Sequence, residues 1–117
     1  MNIDIREIDS DYESLEMEFN IVDVDNNETV GYLFVARVCE ETHIAYEVWE
    51  EYRGNDVATN ALKMITERLS RPVLEIARDN MASKRVAMKA GYTLVKSNVY
   101  FDIYEFYDNK KIKQFIR

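Results

Sequence analysis

The sequence is poor in the residues that cross-link or interrupt a chain. Its 117 residues include one cysteine, Cys39, one proline and three glycines. This composition excludes a disulfide scaffold, a collagen-like repeat and low-complexity disorder. Positive charge is also scarce, because 15 Lys and Arg stand against 22 Asp and Glu, which gives a net charge of −7. An acidic surface repels phosphate backbones, so we expect no nucleic-acid partner.

Long apolar runs are also missing. The longest stretch, residues 30–38, is about half the length of a membrane-spanning helix and contains Arg37. The first eleven residues contain four acidic side chains and lack the apolar core of a secretion signal. A lone cysteine suits a reducing compartment. We therefore expect a cytoplasmic protein without a membrane partner, folded as one domain over residues 1–117.

Two hydrophobic periodicities divide the chain. Alternation of apolar and polar residues predicts strands over 3–8, 15–21, 30–38 and 43–49, with antiparallel pairing through turns at 25–27 and 40–42. A helical spacing then predicts a helix over 57–69, followed by a strand over 73–77 and a helix over 81–90. Gly91 suits the left-handed cap of this second helix. Two last strands are predicted over 93–97 and 100–107, which gives an α+β (mixed α/β) fold with two helices packed on a sheet.

The connection between the fourth strand and the first helix carries the strongest chemical signal. The first turn of a helix leaves backbone N–H groups unpaired, and the helix dipole favours an anion there. Gly54 allows the backbone to approach a ligand closely, and Arg53 adds a cation. The residues alone leave two interpretations open, an ordinary strand-to-helix turn or a phosphate-binding loop.

Two segments resemble motifs of the GNAT superfamily of N-acetyltransferases. Residues 52–62 are similar to its pyrophosphate loop, Arg/Gln-x-x-Gly-x-Gly/Ala, with Arg53 and Ala58 at the first and last positions and Asp56 in place of the central glycine. Residues 74–92 resemble its strand, Asn-x-x-Ser motif and helix ending in Gly-Phe/Tyr, with matches at Asn80, Ser83, Gly91 and Tyr92. The resemblance covers residues 15–95 and implies a mixed, mostly antiparallel sheet.

The resemblance also implies a function. The protein is expected to move an acetyl group from acetyl-CoA to a primary amine by direct attack in a ternary complex, with no metal. The Val48 N–H is expected to polarise the thioester carbonyl. The residues implied in acetyl-CoA binding are Val48, Arg53, Gly54, Asn55, Asp56, Val57, Ala58, Asn80 and Ser83.

The catalytic acid and base are less sharply defined. The family's usual tyrosine acid, four positions before the helix-ending glycine, corresponds to Ala87, so Ser83, Tyr100 or Tyr104 is left as the acid. His43 and Glu47 lie in or near the fourth strand and are candidate bases, and an ordinary histidine titrates near neutral pH. Asn80 also suits a helix N-cap, with Ser83 three residues later.

The acceptor is expected to be a small-molecule or peptide amine. Residues 9–14 are too few for the two helices that most members of the superfamily place between their first two strands. The acceptor side is therefore either open or completed by a second subunit in a homodimer. The alternative function is a catalytically degenerate module of the same fold that binds CoA or a partner.

Overall fold

A single seven-stranded sheet organises the molecule. The computed structural model describes residues 1–11, 13 and 15–107, with the backbone alone described at 9–11. The sheet has the strand order β1-β2-β3-β4-β5-β7-β6 and is antiparallel except between β4 and β5. The strands are β1 (Ile3–Asp11), β2 (Glu16–Asp23), β3 (Glu28–Val38), β4 (Glu41–Val48), β5 (Pro72–Ala77), β6 (Thr93–Ser97) and β7 (Phe101–Glu105). With two α-helices, this confirms the predicted α+β class.

The first four strands form an antiparallel meander with two distinct faces. Phe19 on β2 lies opposite Leu33 on β3, which in turn lies opposite Tyr46 on β4. Phe19 and Leu33 are buried in the core. Because side chains alternate along a strand, Phe34 and Glu47 point to the other face. The turns contain left-handed Asn27 (φ 53°) and Cys39 (φ 57°), as turn backbones require.

The sheet opens between β4 and β5. These strands are parallel and pair only at Thr42 with Pro72 and His43 with Val73 among the described residues. Beyond His43 the two strands separate, so the last five residues of β4 have no strand on that side. A gap therefore runs through the middle of the sheet.

Both helices pack on one face of the sheet. Helix α1 (Val57–Thr66) connects β4 to β5, and α2 (Met81–Lys89) connects β5 to β6. Each connects two strands that run in the same direction, and the two helices contact each other. The buried stripe of α1 includes Val57, Ala61, Leu62 and Ile65, and it packs on the core face of the strands.

A buried hydrogen bond joins α1 to the segment that follows α2. The Thr66 hydroxyl donates to the Leu62 carbonyl at 2.6 Å, so the Tyr92 hydroxyl, also at 2.6 Å, must donate to Thr66. Burial raises the pKa of Tyr92 to about 12, so this donor keeps its proton at neutral pH. The contact fixes α1 relative to the end of α2.

The opposite face of the sheet carries no helix in the described part of the chain. Strand β1 ends at Asp11 and β2 begins at Glu16. Ala45 and Glu47 are exposed on this face, and Tyr32 and Phe34 are half-buried. This face is therefore not covered by a helix of the described residues, and whether a second subunit completes it stays a prediction.

Several predicted boundaries differ from the structure. The helix predicted over 57–69 ends at Thr66, because Arg68 and Leu69 donate to carbonyls three residues earlier and form a turn. The turn between β3 and β4 lies at residues 39–40 rather than 40–42. No helix of the described residues combines the length and apolarity needed to span a bilayer. The single domain over 1–117 stays a prediction, and its residues 108–117 lie outside the described residues.

Candidate active site

A cleft of about 510 Å³ lies where β4 separates from β5. We call it the β4–β5 cleft. It is bounded by residues 46–48 of β4, the loop at 53–56, the first turn of α1 and one face of α2. The N-termini of both helices therefore open onto the same space.

The N-terminus of α1 presents free backbone donors to this cleft. Asp56 is the N-cap residue and adopts the left-handed conformation (φ 56°), but its side chain makes no capping hydrogen bond. The first amide to bond within the helix is that of Asn60, which donates to the Asp56 carbonyl at 2.9 Å. The amides of residues 57–59 precede it and have no partner within the helix. Gly54, with φ 88°, turns the chain into this position at low steric cost.

The charges that line the cleft are more positive than the chain as a whole. Arg53, Arg85 and Lys89 are cationic, whereas Glu47 and Asp56 are anionic. The sum of three positive and two negative charges is +1, against −7 for the whole sequence. The Lys89 ammonium also lies 3.1 Å from an Asp56 carboxylate oxygen. Lys89 therefore neutralises the carboxylate that replaces the central glycine of the phosphate loop.

The end of β4 directs a backbone donor into the cleft. The Trp49 N–H donates to the Val30 carbonyl on β3 at 2.9 Å. Because consecutive peptide groups of a strand point to opposite sides, the Val48 N–H points away from β3, toward the gap. The Arg53 guanidinium donates to the Val48 carbonyl at 3.0 Å, which holds this end of the strand against the loop.

The N-terminus of α2 is fixed by two polar contacts. The Asn80 side chain accepts a hydrogen bond from the Ser83 amide at 3.1 Å, which is the predicted N-cap. Lys84 lies 2.7 Å from the buried Asp102 carboxylate on β7, and this contact is the main cause of the lowered pKa of Asp102. The Ser97 hydroxyl donates to the same carboxylate at 2.7 Å. Ser83 is thus held at the cleft by a helix that is anchored to the sheet.

The Tyr46 hydroxyl is buried in the wall of the cleft. It makes no hydrogen bond to any described residue. Burial raises the pKa of Tyr46, and the Ser83 hydroxyl lies close enough to offset part of this increase. Two hydroxyl groups, one from β4 and one from α2, therefore meet at the point where the sheet opens.

The structure brings together most of the residues predicted for acetyl-CoA binding and separates three of the predicted site residues from them. The predicted acetyl-CoA-binding residues line the cleft, except Asn55, and so do the catalytic candidates Glu47 and Ser83. His43 lies at the closed end of β4, 3.2 Å from a Glu41 carboxylate oxygen. Tyr104 is buried on β7 opposite Leu74. Neither His43 nor Tyr104 lines the cleft.

Among the cleft-lining residues that were not predicted from the sequence are Tyr46, Arg85 and Lys89. Arg85 and Lys89 lie one helical turn apart on the face of α2 that also presents Ala82 and Val86. This spacing of 82, 85, 86 and 89 is visible in the sequence and places both cations on one stripe of the helix. The ring of Tyr46 packs against the core, and the alternation along β4 gives no information about its hydroxyl.

The fold and the cleft define an α+β domain that presents two helix N-termini to a gap in its sheet. Residues 3–93 match the family model of the acetyltransferase (GNAT) domain. Because the match covers most of the sequence, the chain belongs to the GNAT acetyltransferase family, which confirms the resemblance. A comparison with curated protein sequences found no match.

Solved structures of GNAT acetyltransferases share the fold. The ribosomal-protein-S5-alanine acetyltransferase from Vibrio fischeri superposes with a TM-score of 0.68 at 15% identity, over 84% of this chain and 64% of that one. RimL, a ribosomal L7/L12 alpha-N-protein acetyltransferase solved with coenzyme A, gives 0.70 at 18% identity, over 80% and 63%. The microcin C7 self-immunity acetyltransferase MccE, solved with acetyl-CoA and AMP, gives 0.69 at 17% identity, over 80% and 62%. This chain therefore spans less than two-thirds of the length of each.

Proposed function

We propose that the protein is an acetyl-CoA-dependent N-acetyltransferase that acts on a primary amine. The observation that carries the proposal is the convergence of the α1 N-terminus, the Val48 N–H and the Ser83 hydroxyl on one cleft. The α1 N-terminus suits a phosphate group, the Val48 N–H suits a thioester carbonyl, and the Ser83 hydroxyl suits a leaving sulfur.

The residues of the chain fit acetyl-CoA as the acetyl donor. The unpaired amides of residues 57–59 suit the negative oxygens of a diphosphate, and Arg53, Arg85 and Lys89 supply cations around them. The Val48 N–H points into the gap and suits the carbonyl oxygen of the thioester. The buried Tyr46 hydroxyl lacks a partner that a bound ligand would supply. Acetyl-CoA supplies the activated acetyl group, and no metal is part of the proposal.

Glu47 is the better placed of the two candidate bases. It lines the cleft, and its side chain points to the sheet face that carries no helix in the described residues. An amine approaching from that face meets Glu47 before it reaches the gap, so the carboxylate can take the proton from the ammonium. His43 lies on the same face, two positions beyond Ala45, where β4 and β5 are still paired. We therefore assign the base to Glu47 and the acid to Ser83.

The proposal is tested by following thiol release from acetyl-CoA in the presence of primary amines. The panel contains peptides with free N-termini, lysine peptides and polyamines, because the acceptor class is a cationic amine. We expect amine-dependent thiol release, and Glu47→Gln is expected to lower kcat roughly a hundredfold or more. Glu50→Gln is the matched control, since Glu50 is exposed and does not line the cleft.

Calorimetric titration with CoA distinguishes a protein that binds CoA without catalysis from one that does not bind CoA. Tight CoA binding without transfer to any amine would contradict the enzymatic proposal and favour the alternative, a CoA-binding or partner-binding module. No binding at all would contradict both the enzymatic proposal and a CoA-binding module, and would leave only a module that binds a partner. The homodimer, the absence of a nucleic-acid partner and the cytoplasmic location stay predictions, and sedimentation equilibrium tests the first of these.

A further inference from the structure

The hydroxyl of Tyr46 has no hydrogen-bond partner among the described residues although its oxygen is buried. Burying a hydroxyl without a partner is unfavourable, and phenylalanine would fill the same space without that cost. Packing therefore accounts for the ring of Tyr46 but not for its oxygen. The hydroxyl lies in the wall of the β4–β5 cleft, where a ligand can reach it.

Tyr46 and Ser83 form a pair of hydroxyls from two different elements. Tyr46 belongs to β4 and its side chain points toward the helices, in the direction opposite to that of Glu47. Ser83 is in the first turn of α2, where the Asn80 cap fixes its backbone. The Ser83 hydroxyl lies close enough to Tyr46 to lower its pKa, against the larger effect of burial. The two residues line the same cleft, next to each other.

The leaving thiolate needs a proton, and the pair of hydroxyls can supply one. A serine hydroxyl is a much weaker acid than a thiol, so Ser83 alone is a poor source of the proton that the departing thiolate needs. Burial raises the pKa of Tyr46 above the ordinary phenol value near 10, yet a phenol remains a far stronger acid than an aliphatic alcohol such as the Ser83 hydroxyl. Ala87, where the resemblance predicted an acid, is fully buried and has no proton to give.

We propose that Tyr46 supplies, through Ser83, the proton that the leaving thiolate takes up. This inference rests on the proposed function and adds a residue to it. In the step, the neutral amine nitrogen forms a bond to the acetyl carbon and gives up one of its two protons to solvent, while the carbon–sulfur bond breaks and leaves its electron pair on sulfur. The sulfur takes the Ser83 hydroxyl proton while Ser83 takes the Tyr46 proton. The resulting phenolate regains a proton from water after the products leave. Tyr46 acts through Ser83 and is therefore a positioning residue.

The test compares Tyr46→Phe with the wild type and with Ser83→Ala. The substitution removes one oxygen and keeps the ring, so we expect the thermal midpoint to stay the same or rise. We expect kcat to fall at least tenfold while KM for acetyl-CoA changes less than twofold. Tyr52→Phe is the matched control, because its hydroxyl contacts Glu28 on the surface and lies outside the cleft. In the Ser83→Ala background, Tyr46→Phe should change kcat by less than twofold, because the relay is already broken.

A binding measurement gives a readout that does not depend on turnover. The wild type is expected to bind CoA several times more tightly than desulfo-CoA, and both Tyr46→Phe and Ser83→Ala are expected to lose that preference. If the wild type transfers no acetyl group but Tyr46→Phe still abolishes the preference, the proposed function fails and the hydroxyl pair stands. Should Tyr46→Phe keep the preference, or should its effect on kcat add fully to that of Ser83→Ala, the inference is overturned.

Discussion

Replacing Lys89 by Gln should weaken CoA binding, because it leaves the Asp56 carboxylate without a counter-charge at the proposed diphosphate site. The two side chains are 3.1 Å apart and link α2 to the start of α1. Asp56→Asn should have the opposite effect and strengthen binding. Asn is chosen over Gly because it tolerates the left-handed backbone at this position, so that only the charge changes.

The size of these effects follows from exposure. The side chains of Asp56 and Lys89 are 62% and 63% exposed, so water screens their charges. Exposed ion pairs contribute about 0.2–1 kcal/mol, which corresponds to a change in Kd of roughly two- to fivefold at most. The double variant should bind CoA within about twofold of the wild type, since both charges are removed together.

Calorimetric titration with CoA at low and high salt measures both changes. The differences between variants should shrink at high salt, because the Debye length falls below the distances involved. Lys63→Gln is the control, since Lys63 is exposed on α1 and does not line the cleft. If Lys89→Gln and Asp56→Asn shift Kd no more than Lys63→Gln does, the diphosphate does not bind at the α1 N-terminus.

Two further predictions concern the scaffold of the site. Gly31→Ala should destabilise the protein by about 1–3 kcal/mol in urea unfolding, because the added Cβ would collide with the Glu47 carbonyl oxygen and lie 3.2 Å from the Val48 Cα. Asp102→Asn should reduce the stability that the protein loses between neutral and acidic pH. The Lys84 contact lowers the pKa of Asp102 below the unfolded value of 3.8, so its stabilisation is complete above that value and is lost as the pH falls toward the lower folded pKa.

For each of these two predictions, one result would contradict it. Ala45→Val adds bulk to an exposed position on β4 and should change stability by less than about 0.5 kcal/mol, so Gly31→Ala must exceed it. For Asp102, thermal midpoints are compared between pH 5 and pH 3. Equal losses in the wild type and in Asp102→Asn would show that the contact with Lys84 does not contribute to acid stability.

Much of the fold could be predicted because burial follows a simple period in each element. The strands and both helices follow alternation or helical spacing in the sequence. The end of α1 could not be predicted, since Leu69 continues the apolar spacing and is buried, at 9% exposed, although it lies in a turn. The hydrophobic pattern reports which side chains are buried and does not report the backbone conformation that buries them.

The positions of site residues could be predicted where a local motif fixes the backbone. They could not be predicted where the geometry of the sheet determines which residues lie together. The loop at 53–58 and the Asn80 cap depend on local backbone, so their positions were visible in the sequence. His43 was a plausible base because it lies four residues from Glu47, but the sheet opens only after His43, and the point of opening is set by pairing with β5. The positions of Lys89 and the Tyr46 hydroxyl depend on how α2 packs beside β4.

A crystal structure of the protein with CoA bound tests the central claim most directly. The account predicts density for the diphosphate at the amides of residues 57–59, and the CoA sulfur beside Ser83 and Tyr46. A diphosphate bound elsewhere, or a β4–β5 cleft without CoA in crystals grown at saturating CoA, would contradict it.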